Sequence, residues 1–424
     1  MKARLIVEMT PAALRGPVSS PPSKSLLHRA LICSALAGRP CLDKVPATPG
    51  DDISATARAV AALSGAVAGG TCGTVAAHRD GAGTVVDCRE SGTTLRLLAP
   101  VFAALGIDVV LTGRGRLPQR PMQPVLDALR SGGVSASCPG GGEFLPLSLS
   151  GRLSAGRFAL PGDVSSQFVS GFLLALPLLD GDSRISLSGA LQSRSYVDMT
   201  LAVMRAHGVV AESDSRGMEY EVPGRQRYRV PSGGFEVEGD ASQEAFWHLA
   251  NHLGSEVRIS NPALGGLQGD AAYPALLAEM RGAAPDGPPP EIDVSQIPDL
   301  VPALAAAAVF SPSGARIVNG ARLRLKESDR IATSVAMLTA IGVRARETAD
   351  GLVVASGLPA ASSSGGGAVP EIDGAGDHRI VMAAAMLGTR IPLRIRGAEA
   401  VSKSWPSFFG DIRAAGAKAK EIWQ

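Results

Sequence analysis

The sequence lacks the features that mark membrane, secreted and disulfide-stabilised proteins. It has only five cysteines and no CxxC pair, and an odd number in so long a chain fits a reducing cytoplasm better than a disulfide framework. Its longest apolar runs, such as residues 300–310, are too short for the roughly 20 residues that cross a bilayer. The first ten residues contain no signal-peptide core and are predicted to form a strand. We therefore expect a cytoplasmic protein that has no membrane partner.

An excess of charge of either sign is also missing. The chain has 41 Lys and Arg against 39 Asp and Glu, for a net charge of +2, which is too balanced for a general nucleic-acid or membrane-surface binder. Positive charge that matters must therefore be local. A composition of 45% hydrophobic and 19% charged residues is typical of a globular protein. A chain of 424 residues is too long for one ordinary core, so we expect two domains of about 200 residues each.

A repeated pattern is present: a helical run, then a glycine, then a small apolar residue that begins a strand. The glycines predicted to end these helices are Gly65, Gly133, Gly208, Gly282, Gly342 and Gly416. Each is expected in the left-handed conformation that follows a helix C-terminus, where a side chain would clash. Six repeats grouped three and three predict two similar domains, and Pro and Gly clusters place the chain crossings near residues 21 and 235.

A second helix precedes each of these endings and is apolar on nearly all sides, which predicts burial at the centre of its domain. These helices cover residues 26–37, 94–105, 168–179, 246–253, 300–310 and 380–387. Their first turns are polar, and capping accounts for the Ser, Thr and Asp found there. It does not account for Lys24, Arg29, Arg96 and Arg379, because cations oppose the helix dipole at this end. The pattern indicates bound anions.

Lysine is scarce, with 7 of the 41 basic residues. Three of the seven, Lys24, Lys326 and Lys403, lie in the segments PPSKSLLHRA, RLKESDRI and VSKSWPSFF. A compact ammonium group can approach phosphate closely or take part in proton transfer, which arginine does less well. These three lysines are therefore candidates for a binding or catalytic site.

Nine segments, in order, resemble those of the EPSP synthases in the enolpyruvyl transferase family. They are PPSKSLLHRA, SGTTLR, LTGRGRLPQRPM, DVSSQFVSGFLLALPLL, SYVDMTLAVM, IPDLVPALA, LRLKESDRI, GDHRIVMAAAML and SKSWPSFF. Each is weak evidence alone, but nine in register across nearly the whole chain are specific.

The resemblance implies an α/β fold of two similar domains, each built from three βαβαββ units in an inside-out α/β barrel, with the active site in the cleft between the domains. The upper domain would comprise residues 21–234 and face shikimate 3-phosphate. The lower domain would comprise residues 1–20 plus 235–424 and carry the phosphoenolpyruvate and catalytic side. That discontinuity comes from the resemblance and not from the repeat.

The resemblance also implies an activity. The enolpyruvyl group of phosphoenolpyruvate would pass to the 5-hydroxyl of shikimate 3-phosphate by addition and elimination through a tetrahedral intermediate, in the pathway to chorismate and the aromatic amino acids. Such a reaction needs two carboxylates with different duties and cations around a leaving phosphate, and no metal or organic cofactor. The family is inhibited by glyphosate, and a monomer is expected.

Residue roles follow motif by motif from the resemblance. Shikimate 3-phosphate would be bound by Lys24, Ser25, Arg29, Ser165, Ser166, Gln167, Ser193, Tyr196, Asp299 and Lys326. Phosphoenolpyruvate would be bound by Lys24, Gly92, Arg120, Gln167, Arg330, His378, Arg379 and Lys403. Asp299 would be the base that takes the proton of the attacking hydroxyl, Glu327 would exchange protons with the methylene carbon, and Lys24 would assist.

The sequence departs from the family pattern at a few positions. Glu90 and Ser91 stand where Asn-Ala is usual, and an extra carboxylate beside an anion site is expected to turn away or to pair with Arg89 or Arg96. Arg194-Ser195 replaces Lys-Pro, Gly376 replaces an Asn, and Arg322 stands where a substrate-binding Asn is common. Arg322 is therefore given no role.

Three other functions have different sequence requirements. The sister enzyme that acts on UDP-N-acetylglucosamine carries Lys-Asn in the first motif and a loop cysteine, whereas this chain has Lys24-Ser25 and no cysteine in residues 114–120. A zinc hydrolase could use His248 and His252, spaced i, i+4, although a third ligand is not indicated. A non-catalytic relative would be expected to lack Asp299 or Glu327, and both are present.

Overall fold

A computed structural model describes residues 4–67, 84–139, 144–263, 266–358 and 369–424. The chain divides into two compact units. The discontinuous unit comprises Met1–Pro22 and Glu238–Gln424, and the continuous unit comprises Ser23–Val237. The predicted crossings near residues 21 and 235 lie close to these divisions. None of the helices in the described ranges has the length and apolar character needed to cross a membrane.

The strands, in chain order, are β1 (Leu5–Thr10), β2 (Arg15–Val18), β3 (Thr84–Asp87), β4 (Val109–Thr112), β5 (Ser135–Ser137), β6 (Leu147–Ser150), β7 (Arg157–Pro161), β8 (Ser183–Ser188), β9 (Glu212–Ser213), β10 (Glu219–Val222), β11 (Glu256–Ile259), β12 (Glu291–Asp293), β13 (Ala315–Val318), β14 (Ala345–Glu347), β15 (Leu352–Val354), β16 (Glu371–Asp373), β17 (Leu393–Arg396) and β18 (Lys418–Trp423).

The α-helices of the described residues are α1 (Lys24–Leu36), α2 (Asp51–Val67), α3 (Gly92–Leu105), α4 (Gln123–Ser131), α5 (Ser166–Ala175), α6 (Arg194–Ala206), α7 (Ala241–His252), α8 (Tyr273–Gly282), α9 (Val301–Ala308), α10 (Arg330–Ala340), α11 (His378–Leu387) and α12 (Phe408–Ala414). Short 3-10 turns lie between several of them, including Pro298–Leu300 before α9.

Four sheets repeat one topology of strand, helix, strand, helix, strand, strand. The strand orders are β3-β4-β6-β5 and β7-β8-β10-β9 in the continuous unit, and β12-β13-β15-β14 and β16-β17-β1-β18 in the discontinuous unit. The first two strands of each sheet pair in parallel and the others pair antiparallel. A smaller parallel sheet pairs β2 with β11. The predicted α/β fold class is therefore confirmed.

The fourth sheet explains why one unit is discontinuous. β1 pairs with β17 on one side and β18 on the other, with Val7 opposite both Ile395 and Glu421. The start of the chain thus supplies the strand that the last repeat needs to complete its sheet. A strand at the centre of a sheet forms backbone hydrogen bonds along both of its edges. The pairing of β1 with β17 and β18 therefore anchors the N-terminal segment to strands from the C-terminal end of the chain.

The six apolar helices are buried, as predicted. Every residue of α9 and of α11 is buried, and α1, α3, α5 and α7 bury most of theirs. Five of the six helices begin earlier than the apolar runs, because their polar first turns are helical as well, whereas α9 begins at Val301 after the 3-10 turn Pro298–Leu300. This places the polar residues of α1, α3, α5, α7 and α11 at the N-terminal ends of core helices, where backbone N–H groups are not used within the helix.

Four of the six predicted helix-ending glycines have the expected left-handed conformation: Gly133, Gly208, Gly342 and Gly416, with φ from +78° to +107°. The prediction was wrong for Gly65 and Gly282. Gly65 lies inside α2, which continues to Val67, and an interior glycine costs a helix only about 1 kcal/mol. Gly282 is the last residue of α8, and the chain leaves that helix through an extended Ala283, so no left-handed residue is required.

Candidate active site

Most of the predicted site residues lie in or near the first turns of helices in both units. Arg29 lies in the second turn of α1, Arg120 follows the 3-10 turn Leu117–Gln119, and Lys403 ends the 3-10 helix Ala398–Lys403. The continuous unit contains Lys24, Ser25, Arg29, Gly92, Arg120, Ser165, Ser166, Gln167, Ser193 and Tyr196. The discontinuous unit contains Asp299, Lys326, Glu327, Arg330, His378, Arg379 and Lys403.

Arg330 is the centre of a cluster of charged side chains in the discontinuous unit. It is the first residue of α10, and its side chain is 1% exposed. Its Nη1 donates to Asp299 Oδ1 at 2.9 Å and its Nη2 to Glu327 Oε2 at 2.8 Å. Its Nε donates to Asp377 Oδ2 at 3.0 Å. The rigid guanidinium fork therefore fixes three carboxylates in relation to one another.

Arg379, in the first turn of α11, is the second arginine that bonds Asp299. Its Nη2 donates to Asp299 Oδ2 at 2.8 Å and to Ser242 Oγ at 3.0 Å. Lys326 Nζ lies 3.6 Å from Asp299 Oδ1. Both carboxylate oxygens of Asp299 thus face cations, and the three cations of the cluster balance its three carboxylates.

Burial and charge act in opposite directions on the cations of this cluster. Burial lowers the pKa of Arg330, but Asp377, Glu327 and Asp299 together raise it above its ordinary value. For Lys326 burial dominates, and it lowers the pKa to about 8 against the opposing effect of Asp299. Lys326 is therefore charged at neutral pH and loses its proton in the mildly alkaline range.

Asp377 and Ser242 were not predicted as site residues. Asp377 is fully buried, caps α11 by accepting from the Arg379 backbone N–H at 3.0 Å, and accepts from Ser328 Oγ at 3.0 Å. Its position directly before His378-Arg379 was interpreted as a helix cap alone. Ser242 lies in the polar first turn of α7, but this turn contains no cation, so the argument from first-turn cations did not point to it. The same polar-turn pattern could have indicated it.

His378 and Lys403 lie beside the start of α11. His378 is buried, with Nδ1 4.0 Å from Asp377 Oδ1. Lys403 Nζ donates to the carbonyl oxygen of Gly376 at 2.6 Å. The two side chains and Arg379 therefore surround one helix N-terminus.

In the continuous unit, Lys24 and Arg29 of α1 differ in their surroundings. Lys24 Nζ pairs with Asp52 Oδ2 of α2 at 2.7 Å. Arg29 is buried and donates to Thr200 Oγ1 and Ser25 O, both at 2.7 Å, and to Tyr196 O at 2.9 Å. Burial lowers its pKa to about 10, which leaves it charged at neutral pH. Its guanidinium joins α1 to α6 through uncharged oxygens.

Gly92, the first residue of α3, lies directly under the Arg120 guanidinium. A Cβ at this position would be 2.8 Å from Arg120 Nη1 and 2.9 Å from Cζ. The Arg120 guanidinium therefore approaches the backbone of Gly92 more closely than a side chain at this position would allow. Glu90 turns toward the 114–120 loop, where its Oε2 would be 2.7 Å from a Cβ at Gly115.

The two arginines suggested as partners of Glu90 have these contacts. Arg89 Nη1 pairs with Asp51 Oδ1. Arg96 donates from Nη1 to Gln167 Oε1 at 3.1 Å and from Nη2 to Pro121 O at 2.9 Å. Arg96 is thus part of the arrangement that orients Gln167.

The first turn of α5 is held to α3. Ser165 caps α5 by accepting from the Gln167 N–H at 3.3 Å, and Gln167 Nε2 donates to Thr93 Oγ1 at 2.8 Å. Ser165 and Ser166 are both buried. Ser193, directly before α6, has a left-handed φ of +54°, which is uncommon for a residue other than glycine and is frequent at functional sites.

The histidine pair of α7 belongs to the core side of that helix. His252 Nε2 lies 3.3 Å from the carbonyl oxygen of Ala307 in α9, and burial lowers the pKa of both His248 and His252. Within the part of the chain that the structure describes, no three His, Cys, Asp or Glu side chains are grouped as metal ligands.

Comparison with known proteins gives a consistent result. Residues 9–412 match the family described as EPSP synthase (3-phosphoshikimate 1-carboxyvinyltransferase). The chain is 37% identical to the 3-phosphoshikimate 1-carboxyvinyltransferase of Clostridium kluyveri and 34% identical to that of Clostridium acetobutylicum, with 98% of each chain covered in both cases.

Solved structures share the fold at lower identity. An EPSP synthase from Acinetobacter baumannii has a TM-score of 0.73 at 22% identity, covering 99% of this chain and 100% of the other. The enolpyruvyl transferase NikO from Streptomyces tendae has a TM-score of 0.68 at 16% identity, covering 100% of both chains. The match over nearly the whole chain, together with relatives above 30% identity, means that the chain belongs to the EPSP synthase (3-phosphoshikimate 1-carboxyvinyltransferase) family.

Proposed function

We propose that this enzyme transfers the enolpyruvyl group of phosphoenolpyruvate to the 5-hydroxyl of shikimate 3-phosphate. The hydroxyl oxygen bonds to the central carbon of phosphoenolpyruvate while a proton adds to the methylene carbon, giving a tetrahedral intermediate. The bond from that carbon to the phosphate oxygen then breaks, phosphate leaves, and the methyl group returns a proton. Family membership supports this activity, because the relatives above carry the corresponding name.

The observation that carries the proposal is the arrangement of two carboxylates on one guanidinium. Asp299 and Glu327 each bond a different Nη atom of Arg330, at 2.9 and 2.8 Å. The reaction needs one group to take the hydroxyl proton and another to exchange a proton with carbon. We assign the first duty to Asp299 and the second to Glu327, since positioned acid–base groups contribute about 10²–10⁴ in rate.

The ion pairs of the cluster suggest how binding of phosphoenolpyruvate makes Asp299 available as a base. Arg330 and Arg379 are already paired with Asp299, so an entering carboxylate or phosphate competes with Asp299 for the same donors. Asp299 and Glu327 are about one-fifth exposed, whereas Asp377 is fully buried. The anion therefore displaces the two partly exposed carboxylates, which become available for proton transfer, while Asp377 keeps its place on Arg330.

The substrate contacts remain assignments made from the motifs. Shikimate 3-phosphate is assigned to Lys24, Ser25, Ser165, Ser166, Gln167, Ser193, Tyr196, Asp299 and Lys326, and phosphoenolpyruvate to Lys24, Gly92, Arg120, Gln167, Arg330, His378, Arg379 and Lys403. For Arg29 we propose an indirect part, because its Nε, Nη1 and Nη2 all donate within the continuous unit. It adds positive charge beneath the proposed phosphate site.

Phosphate release from phosphoenolpyruvate, measured with and without shikimate 3-phosphate, tests the proposal. Release that depends on shikimate 3-phosphate and survives a metal chelator is expected. UDP-N-acetylglucosamine serves as the control acceptor, and faster release with it would transfer the assignment to the sister reaction. If no phosphate were released with either acceptor, the proposal would be contradicted. Light scattering of the purified protein tests the expected monomer, and the cytoplasmic location stays a prediction.

A further inference from the structure

A chain of four buried side chains connects three helices of the continuous unit. His28 Nδ1 of α1 lies 2.7 Å from Thr56 Oγ1 of α2, which lies 2.7 Å from Thr94 Oγ1 of α3. Thr94 Oγ1 in turn donates to Ser91 Oγ, the cap of α3, at 2.8 Å. All four residues are at most 1% exposed. We call these four residues the hydroxyl chain.

The direction of the hydroxyl chain follows from counting protons. Each threonine hydroxyl has one hydrogen to donate. Thr94 gives its hydrogen to Ser91, so the hydrogen between Thr56 and Thr94 must come from Thr56. The hydrogen between His28 and Thr56 must then come from His28 Nδ1. His28 is therefore the donor that sets the orientation of every hydroxyl after it.

The surroundings of His28 favour a neutral ring with its hydrogen on Nδ1. Burial lowers the pKa of His28 well below its ordinary value, and the neighbouring cations Lys24 and Arg29 lower it further. A neutral histidine carries one N–H, and the partner of that nitrogen decides which tautomer is present. Thr56 supplies that partner.

The hydroxyl chain lies directly behind residues assigned to substrate binding. Lys24 precedes His28 by one turn of α1, and its partner Asp52 precedes Thr56 by one turn of α2. The pairs Lys24–Asp52 and His28–Thr56 thus connect the same two helices one turn apart. At the other end, Ser91 and Thr94 flank Gly92 and Thr93, which contact Arg120 and Gln167 respectively.

We propose that His28 is a positioning residue, which fixes the Gly92 turn of α3 in relation to the helix that carries Lys24. It contacts no substrate and acts through Thr56, Thr94 and Ser91. The substrate-binding residues near the two ends of the hydroxyl chain then keep a fixed distance from each other. This distance matters because a misplacement of about 1 Å can reduce the rate by about 10²-fold. The inference rests on the proposed function, since both ends are assigned to substrates by that proposal.

Kinetics of two His28 variants test this role. His28→Leu removes the donor and keeps an apolar side chain of similar reach, whereas His28→Asn retains an N–H near the position of Nδ1. We expect His28→Leu to raise the KM for phosphoenolpyruvate at least about 10-fold, since the Gly92 turn is displaced. His28→Asn should restore most of the parent value.

His207 provides a matched control. It is also a buried histidine of the continuous unit, but its Nδ1 bonds the Val203 carbonyl oxygen of its own helix at 2.8 Å. His207→Leu should lower the melting temperature and leave the KM near that of the parent. An equal KM change in His28→Leu and His207→Leu, or a KM within twofold of the parent in His28→Leu, would overturn the proposal.

Two further measurements keep the test decisive if His28→Leu fails to fold. Thr56→Val is nearly isosteric and breaks the hydroxyl chain while keeping the histidine, and it should raise the same KM. Nitrogen-15 NMR of the parent should find the hydrogen of His28 on Nδ1, and a hydrogen on Nε2 would overturn the inferred direction. The NMR result is independent of the reaction, so a parent without phosphate release would contradict only the proposed function.

Discussion

Two buried arginines, one in each unit, are held in contrasting ways. In the continuous unit, Arg29 donates to a hydroxyl oxygen and to two carbonyl oxygens, so its partners are uncharged. In the discontinuous unit, Arg330 is bonded by three carboxylates. A cation held by neutral groups keeps its positive charge, which can attract a phosphate even where its N–H groups are already used. An anion that enters beside a cation already balanced by carboxylates must compete with them, and we propose that this competition makes the carboxylates available for proton transfer.

The contrast predicts that the carboxylates of the discontinuous unit contribute most to the rate. Asp299→Asn and Glu327→Gln should each reduce turnover at least about a hundredfold, because positioned acid–base groups contribute about 10²–10⁴. Shikimate 3-phosphate binding, measured by calorimetry, should persist in both variants.

Asp329→Asn is a suitable control for these variants. Asp329 caps α10 and pairs with Arg324, 3.0 Å from Asp329 Oδ2. Its substitution should leave turnover near that of the parent. If Glu327→Gln or Asp299→Asn behaved like Asp329→Asn, the assigned duties would be wrong.

Stability measurements test the contrast without any substrate. Arg330→Met leaves Asp377 buried without its main counter-ion, so the free energy of unfolding should fall by about 3–5 kcal/mol. Arg29→Met leaves only neutral acceptors without a donor, for which about 1–3 kcal/mol is expected. Urea denaturation of both variants against the parent gives the two values. Equal losses would show that the charge of the partners is not what distinguishes the two units.

Gly92→Ala sharpens the description of the continuous unit. The new methyl group would meet the Arg120 guanidinium at about 2.8 Å, so Arg120 must move. Overpacking costs about 1–3 kcal/mol, or roughly a 5- to 150-fold loss of affinity. The KM for phosphoenolpyruvate should rise by a factor in this range, and glyphosate inhibition at matched substrate saturation should weaken.

Gly410→Ala is the control for this substitution, because Gly410 is also helical and a Cβ there meets no atom within 4 Å. It should change neither the KM nor the inhibition. Superimposable inhibition curves for the parent and Gly92→Ala, with the parent clearly inhibited, would show that the Gly92–Arg120 contact does not shape the inhibitor site.

The smallest effect concerns pH and Lys326. Burial lowers its pKa to about 8, so at pH 9 only about a tenth of the enzyme keeps this charge next to Asp299. The value of kcat/KM should therefore fall above about pH 8, and Lys326→Arg should remove that fall because arginine stays charged. An unchanged alkaline limb in Lys326→Arg would assign the titration to another group.

The contribution of Lys326 to stability changes with pH in the opposite direction to its contribution to kcat/KM. The folded state releases the Lys326 proton near pH 8, whereas the unfolded chain keeps it until its ordinary pKa. Between these two values the unfolded state binds more protons, so the contribution of Lys326 to stability rises with pH across this window. Denaturation at pH 7 and pH 9.5 should show this rise in the parent relative to Lys326→Arg.

Local chemistry determined what could be predicted from the sequence. Apolar character on all sides identified the six buried helices, since such a surface has no other stable place. Cations in first turns, where the helix dipole disfavours them, directed attention to Lys24 and Arg379, which pair with Asp52 and Asp299 respectively, while the bound anions inferred from these cations stay a prediction. Four helix-ending glycines followed from backbone sterics alone.

Tertiary structure decided the rest, because partners distant in the chain cannot be identified from local patterns. Asp377 meets Arg330 across 47 residues, and Ser242 meets Arg379 across 137. Considered alone, Asp377 is an ordinary helix cap and Ser242 is a polar residue in the first turn of a helix. The place of β1 between β17 and β18, and the neutral surroundings of Arg29, likewise depend on how helices and strands pack. The sequence by itself determined which turns carry charge, while the packing of core helices determined whether each charge faces a hydroxyl or a carboxylate.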